Sequence, residues 1–593
     1  MAHGEPLLDT PIARHVWETR YRLARPRTMA EREVDVTDTW RRVAAAVAAA
    51  EPVDARLWQD RFFDILQEFR FLPGGRILAG AGTRHRVTLL NCFVIGRLGT
   101  DAATRARQLR EAARTMAHGG GIGIDLSPLE PTDGAPGIVA MLEEWDAMCA
   151  AVGARGPRRG AMMATLRCDH PDILAFVNAK RHRDRLHHFN LSVLVTDDFM
   201  HAVDADLSWP LRSPHRFAQI VSTHPARHIW RAVAAAAHVC GDPGLLFIDR
   251  VNHENNLSYA ETISATNPCG EVPLPPYGAC DLGSINLARL VRNPFTAQAR
   301  IEPDDLAALA TVAVRFLDNV IDVTSFPVQR QETVVRASRR LGLGITGLAD
   351  AFIMMGLRYG RERSIAIAGD WMQAIRDAAY RASVALAREK GSFPLFDRDH
   401  YLAAPFIRTL PPDIRDGIAR NGIRNSHLLA IAPTGTISLL AGNVSSGIEP
   451  VFAESYQRRV VIPGAAARRY DMTDFAVRAW RSQVADPSAR PPGFLRADQI
   501  PAEAQIALQA ALQRHVDNAI SKTVTLSASA GIADVEHVFR TAHRLGLKGC
   551  TVFRAGAGGA DILGPASCSA MRLPSGRSTP VTTPPSTRGR GFG

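Results

Sequence analysis

The stretch Asn267-Pro268-Cys269-Gly270-Glu271 places an amide, a thiol and a carboxylate on alternate residues. Pro268, Gly270 and the nearby Pro273 disfavour a regular helix. In an extended segment, side chains two residues apart project to the same side. Asn267, Cys269 and Glu271 can then converge on one small molecule. Read alone, the stretch is equally a proline-rich turn around a buried thiol. Cys280 follows eleven residues later, in Gly278-Ala279-Cys280-Asp281. A third thiol, Cys92, sits after Asn91 within the apolar run Leu89 to Ile95, which reads as a buried strand. By itself Cys92 has the character of a core cysteine.

Three further stretches could bind a ligand. Gly119, Gly120 and Gly121 let backbone N–H groups approach an anion, or form a tight turn. Leu428 to Leu440 reads as a strand, then Pro433-Thr434-Gly435-Thr436, then a helix. Hydroxyls and backbone N–H groups at a helix start suit phosphate, although threonine is also an ordinary N-cap. Residues 153–166 form a basic, glycine-flanked loop with Arg155, Arg158, Arg159 and Gly160, either a solvated face or a mobile loop on a rigid base.

The elements that must position these residues follow from the patterning. Residues 1–75 read as a small helical N-terminal region, with apolar residues at helical spacing around Ile12 to Trp17 and Trp58 to Leu72. Strands alternate with helices over 76–555, including helices at 218–241 and 303–322, which argues for an α/β domain. From 556 to 593, Gly, Ser, Thr, Pro and Arg dominate a basic tail expected to be disordered. The net charge of +11 over 593 residues rests almost wholly on arginine, lysine occurring only at 180, 390, 522 and 548. This suits anionic ligands such as nucleotides without indicating nucleic-acid binding. Eight cysteines, with no C-x-x-C and no zinc spacing, point to no metal site and to a reducing cytoplasm. The sequence lacks a signal-peptide pattern, and its apolar runs are too short to span a bilayer.

Taken together, these stretches resemble the ribonucleotide reductases, most closely the adenosylcobalamin-dependent class. The marks are Pro73-Gly74-Gly75-Arg76, Asn91-Cys92, the glycine run, Arg158-Arg159-Gly160-Ala161, Asp169-His170-Pro171-Asp172, Asn267 to Glu271, Pro433 to Thr436, Ser521-Lys522-Thr523 and Gly549-Cys550-Thr551-Val552. They run from about Ile12 to Arg554, and together in this order they are highly specific. The resemblance implies a ten-stranded α/β barrel of two antiparallel five-stranded halves, with a central finger loop carrying the radical cysteine, here Cys269. It implies that adenosylcobalamin generates a thiyl radical at Cys269, which abstracts the 3′ hydrogen of a ribonucleotide. An S–H bond comparable in strength to the sugar C–H bond makes that transfer reversible. Glu271 would accept the 3′-hydroxyl proton, Asn267 would orient the sugar, and Cys92 and Cys280, facing each other across the barrel, would supply two electrons and end as a disulfide. Asn91, Gly119 to Gly121 and Pro433 to Thr436 match substrate-binding segments. Arg155, Arg158, Arg159 and Gly160 match a loop that relays the identity of a deoxynucleotide effector.

The tyrosine pair of two-subunit reductases has no counterpart in Gly549 to Arg554, and neither a preceding regulatory domain nor a glycyl-radical motif is expected. Where relatives carry a C-terminal cysteine pair, this sequence has Cys568 alone, so an external dithiol reductant such as a thioredoxin-like protein is expected. A homodimer is expected by the same resemblance. The alternatives are the catalytic subunit of a two-subunit reductase and a non-catalytic nucleotide-binding paralogue.

Overall fold

The structure is a computed structural model that describes residues 7–23, 32–85, 87–129, 137–155, 160–181, 185–215, 219–460, 467–484, 486 and 488–556. The tail beyond 556 lies outside the described residues.

The N-terminal region is helical. Helix α1 (Val36–Ala48) starts at Asp35, whose carboxylate accepts the Thr37 N–H at 2.8 Å, while Asp38 reaches back to the Asp35 N–H. This reciprocal capping satisfies donors that a helix start leaves open. Its buried face, Val36, Trp40, Val43 and Val47, repeats at helical spacing and packs with α2 (Ala55–Leu66).

The strands that build the barrel and its finger are β1 (Phe71–Pro73), β2 (Cys92–Arg97), β3 (Gly121–Asp125), β4 (Met162–Arg167), β5 (Phe189–Val195), β6 (Gly244–Phe247), β7 (Ala265–Thr266), β8 (Pro273–Leu274), β9 (Ala279–Asn286), β10 (Leu341–Thr346), β11 (Thr523–Leu526) and β12 (Gly549–Arg554). Strands β2, β3, β4, β5 and β6 are parallel neighbours. Strand β9 pairs in parallel with β10, β10 bridges to Leu429, Ile431 bridges to Ile520 at the approach to β11, and β11 pairs in parallel with β12. The two parallel sets join antiparallel at β9–β2 and at β12–β6. The ring therefore closes as a ten-stranded α/β barrel of two five-stranded halves with two opposed seams. Closure removes exposed sheet edges.

Helices cover the outside. They include α3 (Ala102–Ala117), α4 (Ile138–Arg155), α5 (Ala226–Cys240), α6 (Pro303–Val323), α7 (Leu348–Met354), α8 (Glu362–Lys390), α9 (Gly435–Leu440) and α10 (Phe475–Arg481). Strand residues alternate accordingly. Leu191, Val193, Leu341, Leu343, Ile345, Val524 and Val552 join the large outer core with the helices. Cys92, Val94, Cys280, Leu282, Ala430 and Ala432 form a separate inner cluster with Ala265, Val272 and Leu274. Those last three belong to the hairpin β7–β8, which is the finger inside the barrel.

Three local expectations differ. The strand expected at 89–95 occupies Cys92–Arg97. The helix expected over 218–241 divides, because β-branched Ile220, Val221 and Thr223 pair as strand Ile220–Pro225 with Ser208–Arg212 before α5 begins. Around Leu428 only single bridges form, at Leu429 and Ile431.

Candidate active site

The finger is shaped by a turn. The Gly270 N–H donates to the Asn267 carbonyl at 3.1 Å, with Pro268 second in the turn and Gly270 at a φ of 84°. Proline fits the second position of such a turn, and a positive φ is natural for glycine. Convergence of Asn267 and Glu271 therefore comes from this reversal and not from an extended run, which corrects the sequence expectation. The Asn267 side-chain oxygen accepts the Val272 N–H at 3.0 Å, locking the turn from inside.

The barrel wall is cut to receive it. A Cβ on Gly123 would overlap the Thr266 carbonyl oxygen, and one on Gly121 would stand 3.0 Å from Pro268. The Asn190 amide of β5 donates to the Pro268 carbonyl at 2.7 Å, one residue before Cys269. At the finger's base, fully buried Arg340 donates to the Pro273 carbonyl at 2.9 Å, to the Glu261 carboxylate and to His427 Nδ1 at 3.2 Å. Sequence reasoning missed Asn190 and Arg340. Their signal was polarity where the pattern called for apolar wall, at a strand start and at a strand entrance.

The finger brings Asn267 and Glu271 to Cys92. Asn267 Nδ2 donates to Cys92 Sγ at 3.1 Å, and the Cys92 thiol faces Glu271 Oε1 at 3.8 Å. Cys269 is half-buried at the tip. Glu271 is 1% exposed, and its Oε2 has no hydrogen-bond partner among the described residues. Burial raises its pKa to about 7, against the smaller opposing effect of hydrogen bonds from Asn267 and Cys92. A carboxyl poised there can take or give a proton near neutral pH.

Cys280 is the direct cross-strand partner of Cys92 at the β9–β2 seam. The two thiols are thus side by side, not across the barrel as the resemblance suggested, because the seam itself pairs their strands. Directly opposed residues have Cα atoms roughly 4.5–5.5 Å apart, within the span a disulfide bridges. Burial first, then the Asp281 carboxyl, holds the Cys280 thiol well above the usual range, so it stays protonated.

Asn91 precedes β2, and its side-chain oxygen is buried without a partner among the described residues, near Gly74. Gly119 to Gly121 end α3 and enter β3. A Cβ at Gly119, Gly120 or Gly121 would meet Arg76, Phe93 or Pro268 respectively, the last of these in the finger, so neighbouring side chains close on the run. Pro433 to Thr436 follow Ala432 of the inner cluster. The Thr434 hydroxyl does not cap α9 as expected. It bonds Thr346 at 2.9 Å and Ser438 at 2.7 Å and accepts the Gly447 N–H at 3.0 Å, leaving Gly435 and Thr436 exposed. Arg155 ends α4, Arg158 and Arg159 lie outside the described residues, and Gly160 packs against Cys149 beside β4.

A family model described as "Ribonucleotide reductase, barrel domain" matches residues 90–553, and one described as "Ribonucleotide reductase, all-alpha domain" matches residues 7–86. The chain is 38% identical over 551 residues to a vitamin B12-dependent ribonucleoside-diphosphate reductase of Mycobacterium tuberculosis, covering 88% of this chain and 76% of that protein. It is 34% identical over 521 residues to the protein of the same name in Thermoplasma acidophilum, covering 84% and 65% respectively. A ribonucleoside-diphosphate reductase subunit alpha of Chlamydia pneumoniae is 25% identical over 478 residues, covering 70% of this chain and 45% of that protein. With its barrel, its finger and the seam cysteines accounted for, the chain belongs to the ribonucleotide reductase large-chain family.

Proposed function

We propose that this chain reduces ribonucleoside diphosphates to 2′-deoxyribonucleotides through a thiyl radical at Cys269, with adenosylcobalamin as cofactor. The carrying observation is that Asn267 and Glu271 converge on Cys92, with one Glu271 oxygen buried and unpartnered, directly beside the Cys92–Cys280 seam. The B12-dependent diphosphate reductases among its relatives support the substrate and the cofactor.

When bound, adenosylcobalamin supplies the hydrogen-atom acceptor for the Cys269 thiol. The opposite seam fits a nucleoside-bearing group. Thr523, Thr551 and Phe553 alternate with outward-packed Val524, Cys550 and Val552 and are only half-buried. With Asn190 they are the residues that would hold that group.

The chain's own residues then act in sequence on the ribose. Cys269, as a thiyl, takes the 3′ hydrogen and returns it to C3′ at the end of the turnover. Glu271 accepts the 3′-hydroxyl proton through its free oxygen, and Asn267 orients the hydroxyls. Departure of the 2′-hydroxyl as water needs protons and two electrons, which the Cys92 and Cys280 thiols supply as they become a disulfide. Asn91 and Pro433 to Thr436 contact the nucleotide, the latter at its phosphates. A deoxynucleotide effector acts through the loop containing Arg155 and Gly160, a thioredoxin-like dithiol protein restores the cysteines, and the chain works as a homodimer in the cytoplasm. Among the described residues no helix is long and apolar enough to cross a membrane.

The test is one turnover of pre-reduced protein with a ribonucleoside diphosphate and added adenosylcobalamin, beside Cys269→Ser. Deoxynucleotide from the first and none from the second is expected. Nucleotide binding without product from either would overturn the reading in favour of a non-catalytic paralogue.

A further inference from the structure

The finger is strung between the two half-barrels. Its incoming side is held by the first half. Asn252, five residues past β6, exchanges two bonds with the Ile263 backbone, at 2.8 and 2.9 Å. The Thr165 hydroxyl of β4 donates to the Ser264 carbonyl at 2.8 Å, and the Asn190 amide of β5 donates to the Pro268 carbonyl at 2.7 Å. The outgoing side is held by the second half. The Ala519 N–H, beside Ile520 on the approach to β11, donates to the Glu271 carbonyl at 2.9 Å. Arg340, at the entrance to β10, donates through Nη1 to the Pro273 carbonyl at 2.9 Å.

Arg340 also crosses this division. Its Nη2 donates to the carboxylate of Glu261, which lies on the incoming limb four residues before β7. Glu261 is itself held by the Asn255 amide at 3.1 Å and donates its N–H to the Leu257 carbonyl at 3.0 Å. The remaining guanidinium nitrogen, Nε, donates to His427 Nδ1 at 3.2 Å, and the His427 carbonyl accepts the Leu341 N–H at 2.9 Å. All three nitrogens of one side chain that is 1% exposed are therefore engaged. A guanidinium presents its donors in a rigid planar fork, so it fixes the spacing of the groups it joins. Here these are the two limbs of the finger and the start of β10. Strand β10 in turn bonds the segment that leads to Pro433, with the Leu343 N–H on the Leu428 carbonyl at 2.8 Å and the Ala430 N–H on the Leu343 carbonyl at 3.0 Å.

We infer that Arg340 is a positioning residue, which ties both limbs of the finger to the half-barrel carrying the Pro433–Thr436 turn and so sets where Cys269 stands toward the bound sugar. The inference rests on the reading of Cys269 as the residue that takes the 3′ hydrogen and of the turn as a nucleotide contact. Arg340 touches neither the nucleotide nor the reacting atoms and acts through the finger. Hydrogen transfer demands close placement of donor and acceptor, and a misplacement of about 1 Å costs about 10²-fold in rate. Binding of the nucleotide makes no such demand on the finger's tip.

The experiment compares full-length wild type, Arg340→Lys and Glu261→Gln. Lysine keeps the buried charge beside Glu261 but lacks the fork that spans both limbs. Glutamine at 261 keeps the shape and the Pro273 bond while slackening the incoming limb, and it decides the matter if Arg340→Lys does not fold. Without cofactor, ribonucleoside-diphosphate affinity is measured, together with amide hydrogen exchange of peptides spanning 262–274 and 514–520. With adenosylcobalamin, the maximal single-turnover rate and KM are measured for substrate bearing hydrogen or deuterium at C3′. In Arg340→Lys, affinity and KM should be unchanged, while the finger and the Ala519 N–H should exchange about tenfold faster, as expected of a local opening. The maximal rate should fall about 10²-fold, and deuterium should slow the variant more than it slows wild type, because hydrogen transfer has become limiting. Glu261→Gln should shift each readout in the same direction by less. A merely structural role would reduce the amount of active protein and leave the isotope effect at its wild-type size. That result, unchanged exchange in both peptides, or affinity falling in step with rate would overturn the inference. No deoxynucleotide from wild type would instead overturn the reading of Cys269, and exchange at Ala519 would then decide by itself whether Arg340 holds the finger.

Discussion

Glu271 holds two oxygens in unlike surroundings. Oε1 faces the Cys92 thiol, while Oε2 is buried with no hydrogen-bond partner among the described residues. A carboxyl whose pKa is raised to about 7 by burial is half-ionised near neutrality. As the base for the 3′-hydroxyl it must be ionised, so single-turnover rate should climb with pH and level off above about 7. Glu271→Gln removes the base but keeps the shape, and the rate should fall about 10²-fold or more while nucleotide affinity is retained. The stability sign is opposite. Because the folded pKa lies above the unfolded value of 4.5, Glu271 favours the fold at low pH, and that contribution is lost as pH rises through about 7. Glu271→Gln should therefore melt higher than wild type at pH 8 and show no such gain at pH 5. An unchanged pH–rate profile in Glu271→Gln would remove this residue from the proton transfer.

Hairpin β7–β8 depends on small residues in the strands that surround it. Gly123 lies in β3 with the Thr266 carbonyl against its Cα, so Gly123→Ala must push the finger off the wall or distort β3. Overpacking of this kind costs about 1–3 kcal/mol. We expect Gly123→Ala to fold with a lowered melting temperature and to lose most single-turnover activity, since Cys269 sits at the finger's tip. Retained activity with a wild-type melt would mean the finger has slack. The glycines, the finger cysteine and its flanking amide and carboxylate were legible in the sequence because each is a local choice of residue type. The turn that unites Asn267 and Glu271 was not, since Pro268 and Gly270 fit both an extended break and a reversal. The facing of Cys92 and Cys280 was legible only through the family resemblance, not from the residues themselves. Cys92 and Cys280 are 188 residues apart, and only the closure of two half-barrels sets their register. Asn190 and Arg340 escaped for the same reason, their partners being finger carbonyls far along the chain. The strand Ile220–Pro225 was hidden because its pairing partner, Ser208–Arg212, lies in a segment with little strand patterning of its own.

The helical N-terminal region and the barrel share one core, and a buried charge cluster ties them. Phe62 of α2 stands edge-on to Phe316 of α6, with ring centres 5.3 Å apart. Glu51, between α1 and α2, has a fully buried carboxylate. It accepts both Arg315 Nε and Nη2 at 2.7 Å, Asn319 at 2.8 Å and Lys390 at 3.2 Å, joining α6 and α8 to the N-terminal helices. A bidentate arginine with further donors offsets the cost of burying the carboxylate. Burial alone would raise its pKa. The hydrogen bonds and charges of Arg315, Asn319 and Lys390 win, lowering it from 4.5 to about 2. A depressed pKa means the carboxylate favours the fold above pH 4.5, and this contribution drains away as pH falls from 4.5 toward 2. Glu51→Gln leaves Arg315 and Lys390 facing a neutral amide, and breaking one side of a buried pair costs about 3 kcal/mol or more. At pH 7 the variant should unfold at markedly lower denaturant than wild type. Limited proteolysis should cut first between α1 and α2, where the anchor has been removed. The gap between the two proteins should narrow with acidification below pH 4.5, because wild type then loses the charge the variant never had. Equal denaturant midpoints at pH 7, or a gap that stays constant down to pH 3, would show that hydrophobic contacts such as Phe62 on Phe316 join the two regions without help from Glu51.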